Sequence, residues 1–467
     1  MKKGRNRRMK QLFKGGTVVS GKECANLDVL VENGKVKEVA AEIEQTEDTE
    51  LIDVSGKLIF PGFIDGHTHF DLEVSGTVTA DDFSTGTKAA IAGGTTLILD
   101  FATQNKGETL AEALENWHRK ADGKSSCDYG FHLAISDWKE SICDELELVV
   151  KGGVTSFKVY MTYDAMVIND KEIYQVLKRL KELGGIVGVH CENKGIIDAL
   201  VEEEKAKGNL TPITHPITRP DLAEAEAISR LLKIAAIADT PVIVVHLSSA
   251  AGYEEILRAR EKGQEVYVET CPQYLLLDDS KYTMLSEESR KYVIAPPLRK
   301  KEDQSVLWDA LCKNAIQTVA TDHCSFTTTQ KEAGKDDFTK IPCGMPGVET
   351  RPSLMYTYGV LEHGITLEQM CRFLSENPAK LYGVYPQKGC LEPGSDADLV
   401  IWDKDEIWTI GKENQVANTD YSPFEGVQVH GKAKQVYLRG ELVAQDGKIV
   451  KDKLGTYVVR NKRVEIK

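Results

Sequence analysis

Eight short apolar runs recur through the middle of the chain, and each has the length of a β-strand. They are rich in β-branched residues and apolar on both faces, which is typical of parallel strands that are buried in a sheet. The runs lie at residues 57–69, 95–101, 129–135, 156–162, 185–191, 241–248, 264–273 and 316–323.

Longer segments between these runs place apolar residues at helical spacing, as in residues 172–183, 222–238 and 254–262. Eight strands that are each followed by helical sequence predict an α/β fold of the closed (β/α)8 type, a TIM-like barrel. A doubly wound open sheet is the alternative architecture. It is disfavoured because no glycine-rich GxGxxG turn follows a first strand.

The two ends of the chain have a different pattern, with hairpin-like strands and Gly or Asn-Gly turns. Neither end has enough strands for a stable sheet by itself. We therefore expect residues 10–56 and 388–467 to form one small β-sandwich domain, with the barrel (residues 57–387) inserted between them. Residues 1–9 are a basic tail, or precede a start at Met9, and no apolar segment follows them as in a secretory signal.

Composition excludes several classes of partner. The formal net charge of the 467 residues is −14, and an acidic surface repels nucleic acid. No apolar stretch approaches the ~20 residues that a membrane span needs. Ten cysteines are scattered without a CxxC pair, which is typical of reduced and mostly buried thiols. We expect a cytoplasmic protein that acts on a small molecule.

Side chains with the chemistry of metal ligands stand in or at the ends of five predicted strands. His67 and His69 end the first strand, and positions i and i+2 point to one face, so both imidazoles can reach one ion. Catalytic groups of (β/α)8 barrels lie at the carboxyl ends of the strands. Six side chains would converge there: His67, His69, Lys158, His190, His246 and Asp322.

Each of these residues has a simpler explanation when it is taken alone. Two histidines at this spacing occur by chance, His190 could be a core residue, and Asp322 could cap a helix. The combination at five strands is much harder to obtain by accident. Five other histidines are expected to be surface or core residues: His118, His132, His215, His363 and His430.

Lys158 is the most informative of the six, because it lies in a buried strand between Phe157 and Val159. A lysine in such a place is costly unless it is paired or neutral. A structural salt bridge is one explanation. The other is that burial lowers the lysine pKa and that the neutral amine takes up CO2. The resulting carbamate, N6-carboxylysine, can bridge two metal ions.

The chain resembles the cyclic amidohydrolases, and within them the hydantoinase and dihydropyrimidinase family, particularly its bacterial phenylhydantoinase-like branch. The resemblance covers nearly the whole chain, with similar blocks in the same order. They are PGFIDGHTHF, AGGTT, SFKVYMTY, VHCEN, VVHLSS, ETCPQYLLLD, APPLR, ATDHCSF, GMPGVETR and GSDADLVIWD.

The resemblance implies two divalent metal ions, with zinc expected and manganese or iron possible. His67, His69, Lys158 as carbamate and Asp322 match the ligands of the more buried ion. Lys158, His190 and His246 match those of the more exposed one. Tyr163 matches the tyrosine whose hydroxyl stabilises the oxyanion, and Asp322 matches the general base. A homotetramer or homodimer is also implied.

Two substrate-binding positions depart from the family pattern. The family often has Ser and Asn where this chain has Ala295 and Cys343. Both positions are expected to contact the substrate mainly through backbone groups, so binding can survive, but Cys343 leaves the substrate identity open. The expected reaction is hydrolysis of a hydantoin or dihydropyrimidine ring to an N-carbamoyl amino acid. Allantoinase or another cyclic ureide hydrolase is the enzymatic alternative, and a dihydropyrimidinase-like scaffold protein is the non-enzymatic one.

Overall fold

A single sheet of eight parallel strands, in chain order, forms the centre of the molecule. The computed structural model describes residues 10–466, so the predicted tail at residues 1–9 lies outside the described part. The strands are β1 (Phe63–Thr68), β2 (Thr95–Thr103), β3 (Asp128–Ala134), β4 (Ser156–Tyr160), β5 (Ile186–His190), β6 (Val242–Val244), β7 (Val266–Thr270) and β8 (Thr318–Val319).

The sheet closes on itself where its first and last strands end. Thr68 forms a parallel bridge with His323, and the backbone N–H of His69 donates to the carbonyl of His323 at 2.8 Å. The predicted closed (β/α)8 barrel is therefore confirmed. Burial explains the apolar pattern, because every strand residue except Thr103 is shielded from solvent on both faces.

The first apolar run, residues 57–69, contains two strands where one was expected. Leu58–Pro61 pairs in a terminal sheet, and β1 begins two residues later, at Phe63. The chain passes between them at Gly62, where a Cβ atom would lie 2.0 Å from Thr96 Oγ1. Only glycine allows this close approach.

Helical segments follow the barrel strands, and the predicted helices appear as Asp170–Leu183, Asp221–Ala238 and Ala250–Arg260. The other α-helices are Phe83–Ala92, Leu110–Ala121, Ile142–Lys151, Lys194–Ala206, Thr214–Thr218, Pro272–Leu276, Ser286–Ser289, Lys301–Cys312, Thr328–Lys331, Arg351–Leu354, Leu367–Cys371 and Asn377–Leu381. Two π-helical segments, Met355–Glu362 and Arg372–Glu376, extend the last helices. Short 3-10 helices lie at Asp279–Thr283, Arg290–Tyr292, Glu332–Gly334, Phe338–Lys340 and Lys412–Asn414.

The chain ends combine into a β-sandwich, as predicted. Its sheets share an apolar cluster that includes Phe13, Val31 and Tyr437. Most pairings are antiparallel, but two strand pairs are parallel. The four-stranded sheet has the order Lys35–Ala40, Asp28–Glu32, Lys10–Lys14, Thr49–Asp53, and the seven-stranded sheet has the order Lys448–Ile449, Glu441–Gln445, Gln428–Leu438, Leu399–Thr409, Leu58–Pro61, Thr17–Val19, Cys24–Asn26. A hairpin, Glu73–Val74 with Thr77–Val78, lies apart from both. The domain limits at residues 56, 57, 387 and 388 stay a prediction.

A buried ion cluster joins the sandwich to the barrel. The ammonium of Lys388 lies 2.7 Å from Asp398 and 3.0 Å from Asp396, and it also contacts Asp128 at the start of β3. Arg439 donates to Asp128 from the other side. Opposite charges surround each member, which offsets the loss of hydration on burial.

Replacing Lys388 by methionine is expected to destabilise the fold by about 3–5 kcal/mol, because it leaves buried carboxylates without their shared cation. Equilibrium urea unfolding would measure the change. The control is Lys451→Met, since Lys451 is half exposed and pairs with Glu441 at the surface, where an ion pair contributes about 0–1 kcal/mol. Equal stability of the two variants would contradict the structural role of Lys388.

All ten cysteines are free thiols within the described chain, five of them buried and five partly exposed. Thiol burial is therefore less complete than the sequence suggested. Among residues 10–466, no helix is both long enough and apolar enough to cross a membrane.

Candidate metal centre

His67, His246 and Asp322 meet at the carboxyl end of the barrel strands. One potential ligand atom from each lies within 4.8 Å of the others. The carboxylate oxygen Oδ1 of Asp322 is 3.2 Å from His67 Nε2 and 3.0 Å from His69 Nε2. Three of the six predicted ligands thus form one compact group, and His69 adjoins it through Asp322. The four residues lie in β1 or in the segments that follow β1, β6 and β8.

Lys158 lies beneath this group and is almost completely buried. Its Nζ atom is 2.7 Å from His67 Nε2 and 4.3 Å from the ring centroid of Phe101. Within residues 10–466, no carboxylate lies at ion-pairing distance from it, so the salt-bridge explanation is not supported. Burial lowers the pKa of Lys158 to about 8, with the charge of Asp322 acting in the opposite direction. A fraction of the amine is therefore neutral at neutral pH.

His190 completes the six on the side of β5. Its ring centroid is 4.6 Å from that of His246 and 5.1 Å from that of Tyr163. Its Nε2 atom is 2.7 Å from Glu192 Oε2. His190 is thus adjacent to the group described above, and only its Nδ1 atom remains available as a ligand.

Three of the predicted functional residues have left-handed backbone conformations. The φ angles are 69° at Tyr163, 39° at His246 and 51° at Asp322. Such angles are uncommon for side chains of this size and are concentrated at functional sites. Asp322 is not a helix cap, since the next helix is capped by Thr327.

The donor atoms of this group fit a divalent metal ion. His246 is buried, yet neither of its ring nitrogens has a hydrogen-bond partner within the described chain, which is unfavourable unless another group binds there. Burial lowers the pKa of both His67 and His246 well below the usual range, so both are neutral, the form that binds metals. Burial alone would raise the pKa of Asp322, but the hydrogen bond from His69 holds it near 2.

Glu269, in β7, orients His67 and was not among the predicted site residues. The Nδ1 atom of His67 lies 2.6 Å from Glu269 Oε1. A carboxylate only accepts, so this contact is a hydrogen bond when the hydrogen of His67 is on Nδ1. This tautomer aims the Nε2 lone pair at the metal centre. The sequence pattern that indicates Glu269 is the same as for Lys158: a charged residue inside a buried strand.

Glu269→Gln is expected to weaken metal binding about 10–100-fold, because the amide no longer fixes the tautomer and orientation of His67. Competition with a chromophoric zinc chelator would measure the affinity. Glu265→Gln is the matched control, since Glu265 pairs with Arg463 at the surface just before the same strand. Similar zinc affinities for the two variants would refute the orienting role.

His323 is a second residue that the sequence did not reveal. Its Nδ1 atom accepts from the backbone N–H groups of Gly347 and Val348 at 3.1 and 3.2 Å. Its Nε2 atom therefore carries the hydrogen and donates to Asp81 at 3.1 Å. These bonds anchor the backbone immediately after Asp322 to two other loops.

A chain of hydrogen bonds runs from the amino-terminal ends of the barrel strands toward the metal centre. Arg460 can only donate, and it donates to the hydroxyl of Ser156. Ser156 then donates to His132 Nδ1, and His132 Nε2 donates to the carbonyl of Gly66 at 2.9 Å. His132 also stacks on Phe101, at 4.7 Å between centroids. His132 is thus a core residue, as expected. Of the other four histidines, His215 is buried, and His118, His363 and His430 are partly or largely exposed.

The two predicted substrate-binding positions, Ala295 and Cys343, lie on two segments that are linked by hydrogen bonds from one buried lysine. Lys331 Nζ donates to the carbonyls of Val293 at 2.9 Å and Gly344 at 2.7 Å. The N–H of Gly344 also donates to the carbonyl of Val293. Ala295 and Cys343 are each partly exposed, so both remain accessible to a ligand. Lys331 thereby fixes the spacing of the two segments.

A closed (β/α)8 barrel with imidazoles, a carboxylate and a buried lysine at the carboxyl ends of its strands has the architecture of a metal-dependent hydrolase. The chain belongs to the amidohydrolase family, because the model of that family matches residues 58–443. This confirms the family expected from the sequence motifs.

Named relatives agree with this assignment. The chain is 44% identical over 458 residues to a D-hydantoinase of Geobacillus stearothermophilus, which covers 97% of each protein. It is 40% identical to a dihydropyrimidinase of Dictyostelium discoideum, over 94% of this chain and 88% of that one. A crystal structure of a dihydropyrimidinase from Brevibacillus agri superposes with a TM-score of 0.96 at 45% identity, covering 98% of this chain and 100% of that one.

Proposed function

We propose that this protein hydrolyses a cyclic amide, of the hydantoin or dihydropyrimidine type, to an N-carbamoyl amino acid. The observation that carries the proposal is the buried Lys158, whose Nζ atom lies 2.7 Å from His67 Nε2. That contact is adjacent to the compact group of His67, His246 and Asp322. Membership of the amidohydrolase family and the names of its relatives support the same reaction.

Two divalent metal ions would be held by the six side chains. His67, His69, Lys158 and Asp322 would bind the more buried ion, and Lys158, His190 and His246 the more exposed one. Zinc suits a site rich in imidazole, and manganese or iron can take its place. Lys158 would serve both ions as N6-carboxylysine, formed with CO2, because a carbamate offers two oxygens where an amine offers one nitrogen.

The chemistry that such metals supply is to make water a nucleophile at neutral pH and to polarise a carbonyl. Asp322 would accept the proton of the attacking water and deliver it to the ring nitrogen as the C–N bond breaks. Its low pKa keeps it ionised, the form that can accept a proton. The hydroxyl of Tyr163 would donate to the substrate oxygen as negative charge develops there. Burial raises the pKa of Tyr163 well above its usual value, so the hydroxyl keeps its proton.

The ring of the substrate would lie between Tyr163 and the segments that carry Ala295 and Cys343. Backbone groups at the latter two positions would hold the ring, and the Cys343 side chain would shape the pocket. Loops near residues 72–82, 102–107 and 163–169 would surround the exocyclic substituent. Loop shape differs most between related enzymes, so the preferred ring and enantiomer follow from these segments.

A substrate panel tests this proposal directly. Purified protein with zinc and bicarbonate would be given hydantoin, 5-phenylhydantoin, dihydrouracil, dihydrothymine and allantoin, with ring opening followed by absorbance. Hydrolysis of one of the first four is the expected result, and turnover of allantoin alone would favour allantoinase. Little bound metal together with no turnover of any ring would indicate a scaffold protein and would contradict the proposal.

Assembly as a homotetramer or homodimer in the cytoplasm is part of the proposal. The helix Asp221–Ala238 exposes apolar side chains that a second copy could cover, with Leu222 69% and Ile237 74% exposed. Light scattering of the purified protein would give the number of chains.

A further inference from the structure

A buried ion pair lies beside the metal-site histidine of β5. Arg219 Nη1 donates to Glu192 Oε2 at 2.6 Å, and the same oxygen accepts from His190 Nε2 at 2.7 Å. The side chain of Glu192 is 1% exposed and that of Arg219 is 13% exposed. A single carboxylate oxygen therefore joins the guanidinium to the imidazole.

The guanidinium of Arg219 also covers the ring of Tyr163. Its central carbon lies 5.5 Å from the ring centroid of Tyr163, within the range in which a cation is attracted to an aromatic ring. The Tyr163 ring is in turn 5.1 Å from that of His190. Arg219, Glu192, His190 and Tyr163 thus form a closed ring of contacts.

Arg219 is itself held in place by its backbone. It follows the short helix Thr214–Thr218 and precedes Pro220, and its carbonyl accepts a hydrogen bond from Arg299 at 2.5 Å. Arg299 also donates to the buried hydroxyl of Ser248, two residues after His246. Arg299, in the segment after β7, therefore ties the backbone of Arg219 to the segment after β6.

We infer that Arg219 is a positioning residue for both halves of the site: through Glu192 it fixes the ring of His190 toward the metal centre, and through its guanidinium over the ring it orients Tyr163. The inference rests on the proposed function. Because Glu192 occupies Nε2 of His190, only Nδ1 can bind metal. Without Arg219, the buried carboxylate of Glu192 would keep its hydrogen bond with His190 but lose the guanidinium that balances its charge and fixes its position.

Metal affinity tests the first half without any substrate. Arg219→Met is expected to weaken the binding of one of the two zinc ions about 10–100-fold. Competition with a chromophoric chelator would measure the affinity for each ion. Arg179→Met is the matched control, because Arg179 also pairs with two carboxylates, Glu147 and Glu182, on the helices Ile142–Lys151 and Asp170–Leu183. Zinc binding of that control should equal wild type.

Arg219→Lys separates the two roles. A lysine can still pair with Glu192, but its compact ammonium covers less of the Tyr163 ring than the broad guanidinium does. Zinc affinity should return to within a few-fold of wild type, whereas kcat should stay about 10-fold lower with a smaller change in KM, as expected for a group that acts in the transition state. Thermal unfolding of each variant checks that the fold is retained.

Two results would overturn the inference. One is an Arg219→Met protein with both zinc affinities and kcat unchanged. The other is a lower unfolding temperature with zinc affinity and kcat like wild type, which would make Arg219 a purely structural residue. If the wild-type chain binds two zinc ions but opens no ring of the panel, the proposed function fails, and the zinc measurements still decide the role of Arg219.

Discussion

Lys158→Ala is expected to lose both bound metal and ring hydrolysis. The alanine offers no atom to either ion, and it leaves His67 Nε2 without the group that lies 2.7 Å away. We expect kcat/KM to fall at least ~10³-fold, equivalent to about 4 kcal/mol of transition-state stabilisation. Metal analysis of the purified variant, together with steady-state kinetics on the best ring of the panel, would measure both effects.

Chemical rescue distinguishes a carbamate from an ammonium at this position. The truncated side chain leaves a cavity, so acetate or propionate can supply the missing carboxylate, whereas ethylammonium supplies only the missing cation. Recovery of metal and activity with the acids, and none with the amine, is expected. Full activity of Lys158→Ala without any added acid would refute the carbamate role.

Asp322→Asn is expected to lower kcat about 10²–10⁴-fold, the contribution typical of general acid–base catalysis. The amide keeps the shape of the side chain and one ligand oxygen, but it cannot accept a proton from water. Zinc content should fall less than kcat, because His67 and His69 remain. Steady-state kinetics on zinc-loaded protein would separate the two effects.

Asp239→Asn is the matched control for that substitution. Asp239 has a φ of 50°, close to the 51° of Asp322, and asparagine tolerates this left-handed region as well as aspartate does. Asp239 is exposed at the end of a helix, where it pairs with Lys181. A comparable loss of kcat in both variants would point to a backbone effect and would exclude Asp322 as the base.

The losses expected in the Glu269, Arg219 and Lys158 variants follow how directly each side chain would contact the metals. Lys158 would contact both ions, so its replacement should lower metal affinity most. Glu269 and Arg219 act through a histidine, so replacing either should lower metal affinity less. The two orienting carboxylates differ in one respect. Glu269 lies within the barrel on β7, whereas Glu192 depends on Arg219, which comes from a loop. The more exposed metal is therefore expected to be the more sensitive to changes at the mouth of the barrel.

The order of the strands, and the places of six side chains with ligand chemistry in or just after them, could be predicted from the sequence. The reason is local: apolar runs of strand length predict buried strands, and charged or imidazole side chains inside them are costly unless they have a role. Lys158 between Phe157 and Val159 is the clearest case. The same rule would have found Glu269, between Val268 and Thr270, had it been applied to β7.

Only the tertiary structure decided how the supporting residues are placed. Arg219 pairs with Glu192 across 27 positions, His323 with Asp81 across 242, and Arg460 with Ser156 across 304. Only Ser156 and His323 of these residues lie in the predicted strand runs. Ser156 is uncharged, and His323 ends its run directly after Asp322. The division of residues 57–69 into two strands also required the fold, because the partner of Leu58–Pro61 is the distant strand Leu399–Thr409. Periodicity records which side chains are buried, but the partner of a buried polar group depends on closure of the barrel.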